Sequence, residues 1–451
     1  MASDIKYVAP SVVASTLLWN TIDDVSDGII GVTRTPQTYL IKEDGESDKS
    51  YASRLQKATW IDTFNDTIDG LNGLVFKKPI VYNDDIPKQL TDIFDNADMQ
   101  GNHFDLIIQD LFDVALRKGI AFYLVDMPQG EAQNKADEIT QNIRPYYTII
   151  QPENITSWKT ETIKGQIVLT QVKIREFIEE DDNENPYATK QVEQYRILER
   201  GTWKTIKVED DIETPVASGV TKLDYIPLGA LNLDKEGFFT AKPPFYDLAK
   251  LNIGHYQIFT DSRHSAHIAS VPMLKLLGFT DDEAKSMVIS ANKAIRSQDP
   301  TANVEWLDYN GGGVEVNKTL MDKLEQKMDE MGLSVITGAK ELTATEVNIT
   351  TTQKQSKLNG YVRKLKDAVE NMLKMGMGFY GSTEGGTVTF DADILKVPLT
   401  AEEVRTYSDM IAKGQLSNKT LWTMLLADKR LPEDFDEVLE DERVKEVDLK
   451  R

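Results

Sequence analysis

The chain has 451 residues, 40% of them hydrophobic, no cysteine and a formal net charge of −22. Absent cysteine excludes disulfides, thiolate catalysis and cysteine-held metals, while the length suggests roughly two to four structural units with sizeable cores. So large an acid excess argues against a protein that grips phosphate backbones, because that grip comes from clustered Lys and Arg; like charge does, however, keep a passing polyanion off a wall. The opening Met1–Lys6 has no basic stretch followed by an apolar one, and no window nears the roughly 18 apolar residues of a membrane span. The expectation is a soluble, cytosolic chain with no membrane partner.

In chain order, Tyr51, Leu55, Ala58, Ile61, Phe64, Ile68 and Leu71 recur at helical spacing and predict one helix over 50–74, its end crowded by Gly70 and Gly73. Lys77–Val81 reads as a short extended segment. Phe104–Lys118 carries an apolar face of Leu106, Ile107, Leu111, Val114 and Ala115, with Gly119 as its stop, and Ile120–Val125 then reads as a buried strand. From Arg144 to about Leu231 the pattern turns to short β-type runs, Tyr146–Ile150, Ile167–Phe177, Val192–Glu199 and Thr202–Val208, with the acidic stretch Glu179–Pro186 as a solvated hairpin tip.

Pro243-Pro244 opens a helix to about Ile268, with Phe245, Leu248, Ala249, Tyr256 and Phe259 in one apolar stripe and Leu251 and Ile258 in a second. A helix apolar on two sides in a polar chain suggests neighbours on both flanks. Met273–Phe279 reads as a strand, Thr280–Glu283 as a capping box opening a helix to about Ile295, Val304–Tyr309 as a strand, and Gly311–Gly313 as a turn. Lys318–Met331 is amphipathic, with Leu320, Leu324, Met328 and Met331 as its apolar stripe, Asp322, Glu325 and Asp329 nearly opposite, and Lys323 and Lys327 on one flank. The small-residue loop Val335–Lys340 follows, and Thr343–Glu346 starts a helical pattern to about 378, which at 1.5 Å per residue reaches about 52 Å. The tail predicts helices after the capping box Thr400–Glu403, which Gly414 stops, and over Asn418–Asp428 and Glu433–Glu446.

No catalytic constellation emerges. His255, His264 and His267 share one predicted helix, but nine residues is two and a half turns, so His255 and His264 point apart; His264 and His267 could share an ion, with surface or inter-subunit packing as the favoured reading. Asp84-Asp85, Asp281-Asp282 and the pair Asp391 and Asp393 lack calcium-loop spacing, and acids at a helix start are favoured without any metal. Gly311–Gly313 lacks the Lys-Ser or Lys-Thr of a phosphate loop. The tail helices hold more acids than bases, which favours helix packing over a helix-turn-helix reader of DNA. Neither a metal nor an organic cofactor is expected, nor enzymatic activity.

The order of segments resembles the portal proteins of tailed bacteriophages. The likeness lies in Tyr51–Ala58, Thr67–Pro79, Arg144–Tyr147, Glu153–Trp158, Lys242–Asn252 and Glu341–Glu346, which together span most of residues 50 to 375. It implies an α+β portal-type fold: a mixed α/β wing over 1–241 with an outer β part at 144–232, a two-helix stem at 242–268 and 317–333, and a small α/β clip at 269–316. A tunnel loop at 334–342, a long kinked helix at 343–378 returning across the wing, and a helical crown at 379–451 complete it. The family forms a homo-oligomeric ring, usually of twelve subunits, at one capsid vertex of the virion, through which double-stranded DNA is packaged and ejected. The resemblance also implies assembly in the host cytoplasm and, as partners, the major capsid protein and scaffold, terminase during packaging, and head-tail adaptor or tail proteins at the clip. Thr337, Gly338, Ala339, Lys340 and Glu341 would form the channel contact, and Asp322, Lys323, Glu325, Lys327 and Asp329 would line the stem. Two alternatives compete: another virion structural protein such as a capsid shell component or scaffold, and a nucleic-acid-processing enzyme.

Overall fold

The structure, a computed structural model, describes residues 5–128, 130, 137, 140–181, 185, 187–209, 212–270, 273–287, 297, 299–307, 312–332, 344–390, 401–427, 430–432 and 435–448. Its helices and sheets place the chain in the α+β class, in two compact units, Met1–Phe390 and Asp391–Arg451.

The first unit is organised around the strand Ile120–Asp126. It pairs antiparallel with Tyr146–Ile150 on one side and Leu228–Asn232 on the other, with Phe122 opposite Ile150 and Ala230. Residues 120 to 125 are all buried, and such a continuous apolar run suits a strand covered on both faces. Ile120, Phe122 and Leu124 point to one side, into a core shared with Val172, Ile174 and Leu198 of an outer sheet. Tyr123 points to the other, where Asn371 of the helix Ala344–Gly378 donates to its hydroxyl at 2.8 Å. Each fully buried Leu or Phe contributes about 1.5–3 kcal/mol, so this strand anchors the unit.

The outer sheet is an antiparallel meander of Ile155–Ile163, Gln166–Asp181, Thr189–Glu199, Thr202–Glu209 and Ile212–Val220 in sequence order. Its first turn, Lys164-Gly165, has both φ angles positive, the geometry whose twist matches a two-residue hairpin. The acidic stretch begins inside the sheet: pairing runs out to Asp181 opposite Thr189, and residues 182–184 and 186 lie outside the described residues.

Residues before 50 belong to the core. The helix Pro10–Ser26 has proline in its first turn and buries Val12, Trp19, Ile22 and Val25 at spacings of seven, three and three. The Trp19 indole donates to the Lys118 carbonyl at 3.0 Å. The Lys118 ammonium is itself held by Glu153 and Asp23, each at 2.9 Å. Burial pushes the Asp23 carboxyl up from its usual range, against the pull of Lys118.

Several expectations are corrected. The helix over 50–74 is two, Asp48–Gln56 and Thr63–Val75, capped by Ser47 and Asp62. An aspartate whose side chain accepts from the Asn65 N–H outweighs the continuing apolar spacing. The second of these helices runs through both Gly70 and Gly73 to Val75. The extended stretch at 77–81 contributes only Val81, which with Tyr82 pairs against Val388–Thr389. That pairing ties residues 379–390 to the first unit, so the boundary falls after Phe390 and not at 379. The second unit holds helices Ala401–Ala412, Asn418–Ala427 and Glu437–Asp448. Its last helix starts four residues later than expected, where Asp436 accepts from the Val438 and Leu439 N–H groups. Thr400 and residues 391 and 393 lie outside the described residues.

Gly119 ends the Phe104–Lys118 helix in the left-handed region, φ 82°, its N–H bonded to the Ala115 carbonyl. A Cβ there would collide with the Lys242 carbonyl. Gly119→Ala should therefore lower stability by at least about 1–2 kcal/mol from backbone strain alone, with the collision adding to it. Urea unfolding read by circular dichroism checks this; an unchanged midpoint refutes it.

Candidate functional site: the paired helices and their junctions

The segment from 232 to 242 connects the central sheet to a pair of long helices, and it is clasped from two sides. The Leu233 N–H donates to the Gly119 carbonyl at 2.9 Å, and Lys364 of the long helix donates to the Leu233 carbonyl. Asp234 accepts from Tyr361 at 3.1 Å and pairs with Lys357 at 3.2 Å. The consecutive prolines Pro243 and Pro244 then precede the helix Tyr246–Ser270, which starts after them and not at them.

This helix is sunk into the first unit by its polar residues as much as by its apolar ones. Leu248, Ala249, Ile253 and Tyr256 are buried, but so are Asn252, His255 and Thr260. The Asn252 amide accepts from the Phe64 N–H at 3.2 Å and donates to the Ile61 carbonyl at 2.8 Å. It thereby satisfies the turn that separates the two helices expected as one. Gln257 donates to the Tyr39 carbonyl at 2.6 Å. Further on, Asp261 pairs at 2.8 Å with Arg54, whose guanidinium is 3% exposed and also holds Glu46 at 2.8 Å. Leu251 and Ile258, the expected second stripe, are only half-buried.

The chain returns through the antiparallel strands Met273–Leu277 and Asn303–Leu307, joined in register from Leu274–Trp306 to Leu276–Val304. The capping box at Thr280 and Glu283 is formed, yet its helix stops at Ser286, after which Met287 is extended. The return helix runs Gly312–Met331. It takes in Gly312 and Gly313, expected as a turn; Gly311 lies outside the described residues. The two long helices are antiparallel, because Pro244 and Phe245 share a small cavity with Glu330 and Met331 while His255 meets Glu325 further along. His255 is fully buried, stacks on Phe259 at 5.6 Å and has its Nε2 3.1 Å from a Glu325 carboxylate oxygen.

Among the residues expected to line a channel, Asp322, Lys323 and Lys327 are exposed and Asp329 is half-buried. Glu325 is half-exposed but spends its carboxylate on His255 of the partner helix, so its position follows from helix pairing. The apolar stripe is rotated from expectation. Met328 is buried and Met321 and Leu324 are half-buried, at spacings of three and four, while Leu320 is 43% exposed. Thr337, Gly338, Ala339, Lys340 and Glu341 lie outside the described residues. Of the histidines, His264 and His267 are placed away from the His255 contact, and among the described residues no three His, Asp or Glu side chains group to hold a metal. No helix among the described residues is long and apolar enough to cross a membrane.

Away from the core, the described residues of the pair are not buried. None of residues 261–267 and 315–320 is buried, and Val316, Leu320, Leu277 and Trp306 are 60%, 43%, 47% and 51% exposed. Sequence periodicity does not show this, because it gives a face and not what covers that face.

Residues 244–380 match a family model described as a domain of unknown function, DUF4055, which takes in both long helices and the helix that follows. No curated protein matches the chain. Among solved structures, a chain from the virion of a native gene transfer agent particle is 11% identical, with a TM-score of 0.43 over 84% of this chain and 94% of that one. A chain from the neck of the empty particle, computed with C6 symmetry, is 12% identical at TM-score 0.41 over 86% and 100%. One from the neck of the native particle, computed with C12 symmetry, is 11% identical at 0.41 over 80% and 88%.

Asn252→Ala should cost about 1–3 kcal/mol by orphaning the Phe64 N–H and the Ile61 carbonyl. Glu325→Gln, at a half-exposed carboxylate, should cost under about 1 kcal/mol. Denaturant midpoints of the two variants, measured side by side, check that order.

Proposed function

We propose that the chain is the subunit of a portal ring of about twelve copies at one capsid vertex, a conduit for double-stranded DNA and a platform for capsid, scaffold, terminase and tail proteins. The observation that carries the proposal is the helix, two-stranded sheet, helix excursion of residues 246–331, rooted in the core by Asn252, His255 and Asp261, with none of the described residues 261–267 and 315–320 buried. Val316, Leu320, Leu277 and Trp306 leave apolar surface open there. Neighbouring copies around an axis supply the cover, and each buries the flank of the next. The ordered resemblance of six segments to portal proteins supports the same reading.

In this reading the wing is the three-stranded sheet with its helices and meander, the stem is the helix pair, the clip is the segment between, and residues 391–451 form the crown. The tunnel loop of 334–342 connects the end of the stem to the long helix, with Lys340 as its cationic contact. Asp322, Lys323 and Lys327 form the exposed arc of the return helix, where mixed charge touches DNA without holding it. A charge of −22 in every copy favours a repelling conduit over a clamp. The role is structural, with no chemistry performed on the DNA.

Negative-stain images of the purified protein should show closed rings with a central hole; icosahedral shells or isolated monomers overturn the proposal. Lys340→Glu should leave those rings intact and change DNA packaging or retention. Assembled mutant rings that package normally remove Lys340 from the contact.

A further inference from the structure

Residues 5–9 lie across the outer sheet on the side away from the shared core. Val172, Ile174 and Leu198 face that core, so their strand neighbours Lys173 and Ile197 point the other way. On this far face Ile5 joins a small apolar cluster with Tyr195, Ile197 and Val208. Lys173 donates to the Ile5 and Tyr7 carbonyls, each at 2.6 Å, and its ammonium stands 5.8 Å from the Tyr7 ring and 5.4 Å from the Tyr195 ring. The segment then reaches the edge strand Ile155–Ile163, where the Ala9 N–H donates to the Thr156 carbonyl at 2.8 Å. Val8 and Ala9 pack against the shared core just ahead of the helix that Pro10 opens. The segment thus spans four neighbouring strands and rounds the edge of the sheet.

This is how a sheet holds a peptide, and not how it holds one of its own strands. Residues 5–9 belong to no ladder; they are gripped by one apolar anchor, two carbonyls on a shared ammonium and one N–H. Ile5 is 8% exposed and Lys173 7%. A buried ammonium is tolerated here because carbonyl oxygens and ring faces surround it, and water takes their place when the segment lifts. An apolar residue at 173 would leave bare hydrocarbon in that open state, whereas lysine suits both states. Contacts to carbonyls read no side chain, so the grip selects an extended backbone. Selectivity falls to the apolar cluster under Ile5 and to the aromatic ring at Tyr7.

We infer that the far face of the outer sheet is a peptide groove held shut by the chain's own residues 5–9, latched through Lys173, and that the occupant it accepts once open is the same segment of a second copy. Ile5–Ala9 is a sequence that fits the groove, and every copy carries it. A tethered segment is exchanged for an identical one without loss of contacts. The groove lies within the first unit and needs no ring, so its failure leaves the proposed function standing, and the reverse holds too.

The test is a fluorescence anisotropy titration of the full-length protein with a peptide of residues 5–10, acetylated at its start and carrying fluorescein at its end. The resident segment competes at an effective concentration of roughly millimolar, so wild type should bind the peptide at least about 10-fold more weakly than Ile5→Asp, whose own segment no longer fits the apolar cluster. Adding Lys173→Met to Ile5→Asp should abolish binding. Limited trypsin digestion is a second readout that needs no change at Ile5. Cleavage after Lys6 should be at least about 10-fold faster in Lys173→Met than in wild type, with the remaining sites cut at unchanged rates, because local opening exposes the bond. Equal affinity of wild type and Ile5→Asp overturns the inference, as does a folded Ile5→Asp that binds no peptide at millimolar concentration. Equal cleavage after Lys6 overturns it whether or not Ile5→Asp folds.

Discussion

One turn holds this structure together. Lys118 and Gly119 end a helix, start the central strand, accept from the Trp19 indole and the Leu233 N–H, and place an ammonium between Asp23 and Glu153. The backbone at Gly119 must be left-handed and must lie against the Lys242 carbonyl, which is where the chain leaves the sheet for the long helices. The N-terminal helix, the central sheet and the root of the helix pair therefore meet at two residues, and a side chain at the second would push them apart.

From that root outward, what holds the chain changes from apolar burial to polar contacts. The central strand is buried by apolar neighbours on both faces, whereas the Tyr246–Ser270 helix is secured by Asn252, His255, Gln257 and Asp261, each bonded to a different segment. Directional contacts fix rotation and register where a smooth apolar interface would permit sliding. Beyond Asp261, Arg263 still donates to the Thr59 hydroxyl, but none of residues 261–267 is buried. Arg54, almost fully buried yet paired with two carboxylates, shows how burial of a charge is tolerated when its donors are occupied; leaving either partner out would be costly.

How much was legible beforehand depended on how local the signal was. Phe104–Lys118 with its glycine stop, the buried strand after it, the capping box at Thr280 and the long helix to 378 all carry their causes within a few residues, as spacing, cap and stop. The N-terminal helix carries such a signal as well, proline followed by Val12, Trp19, Ile22 and Val25. The break at 57–62 was not legible in the same way, because apolar spacing runs through it; the turn there is satisfied by Asn252, nearly two hundred residues away. The orientation of the return helix was likewise undetermined, since Leu320 and Met321 fit an apolar stripe equally well until His255 fixes Glu325.

The sequence by itself determined the class of the chain, the positions of its longest helices and strands, and the acidity that any partner must meet, because these follow from composition and from contacts a few residues apart. Only the tertiary structure decided which helix faces are covered, that Glu325 belongs to a helix contact, that residues 379–390 join the first unit, and that residues 5–9 lie across the outer sheet. Those outcomes depend on pairs of residues distant along the chain, and periodicity along one segment contains no information about what lies across from it.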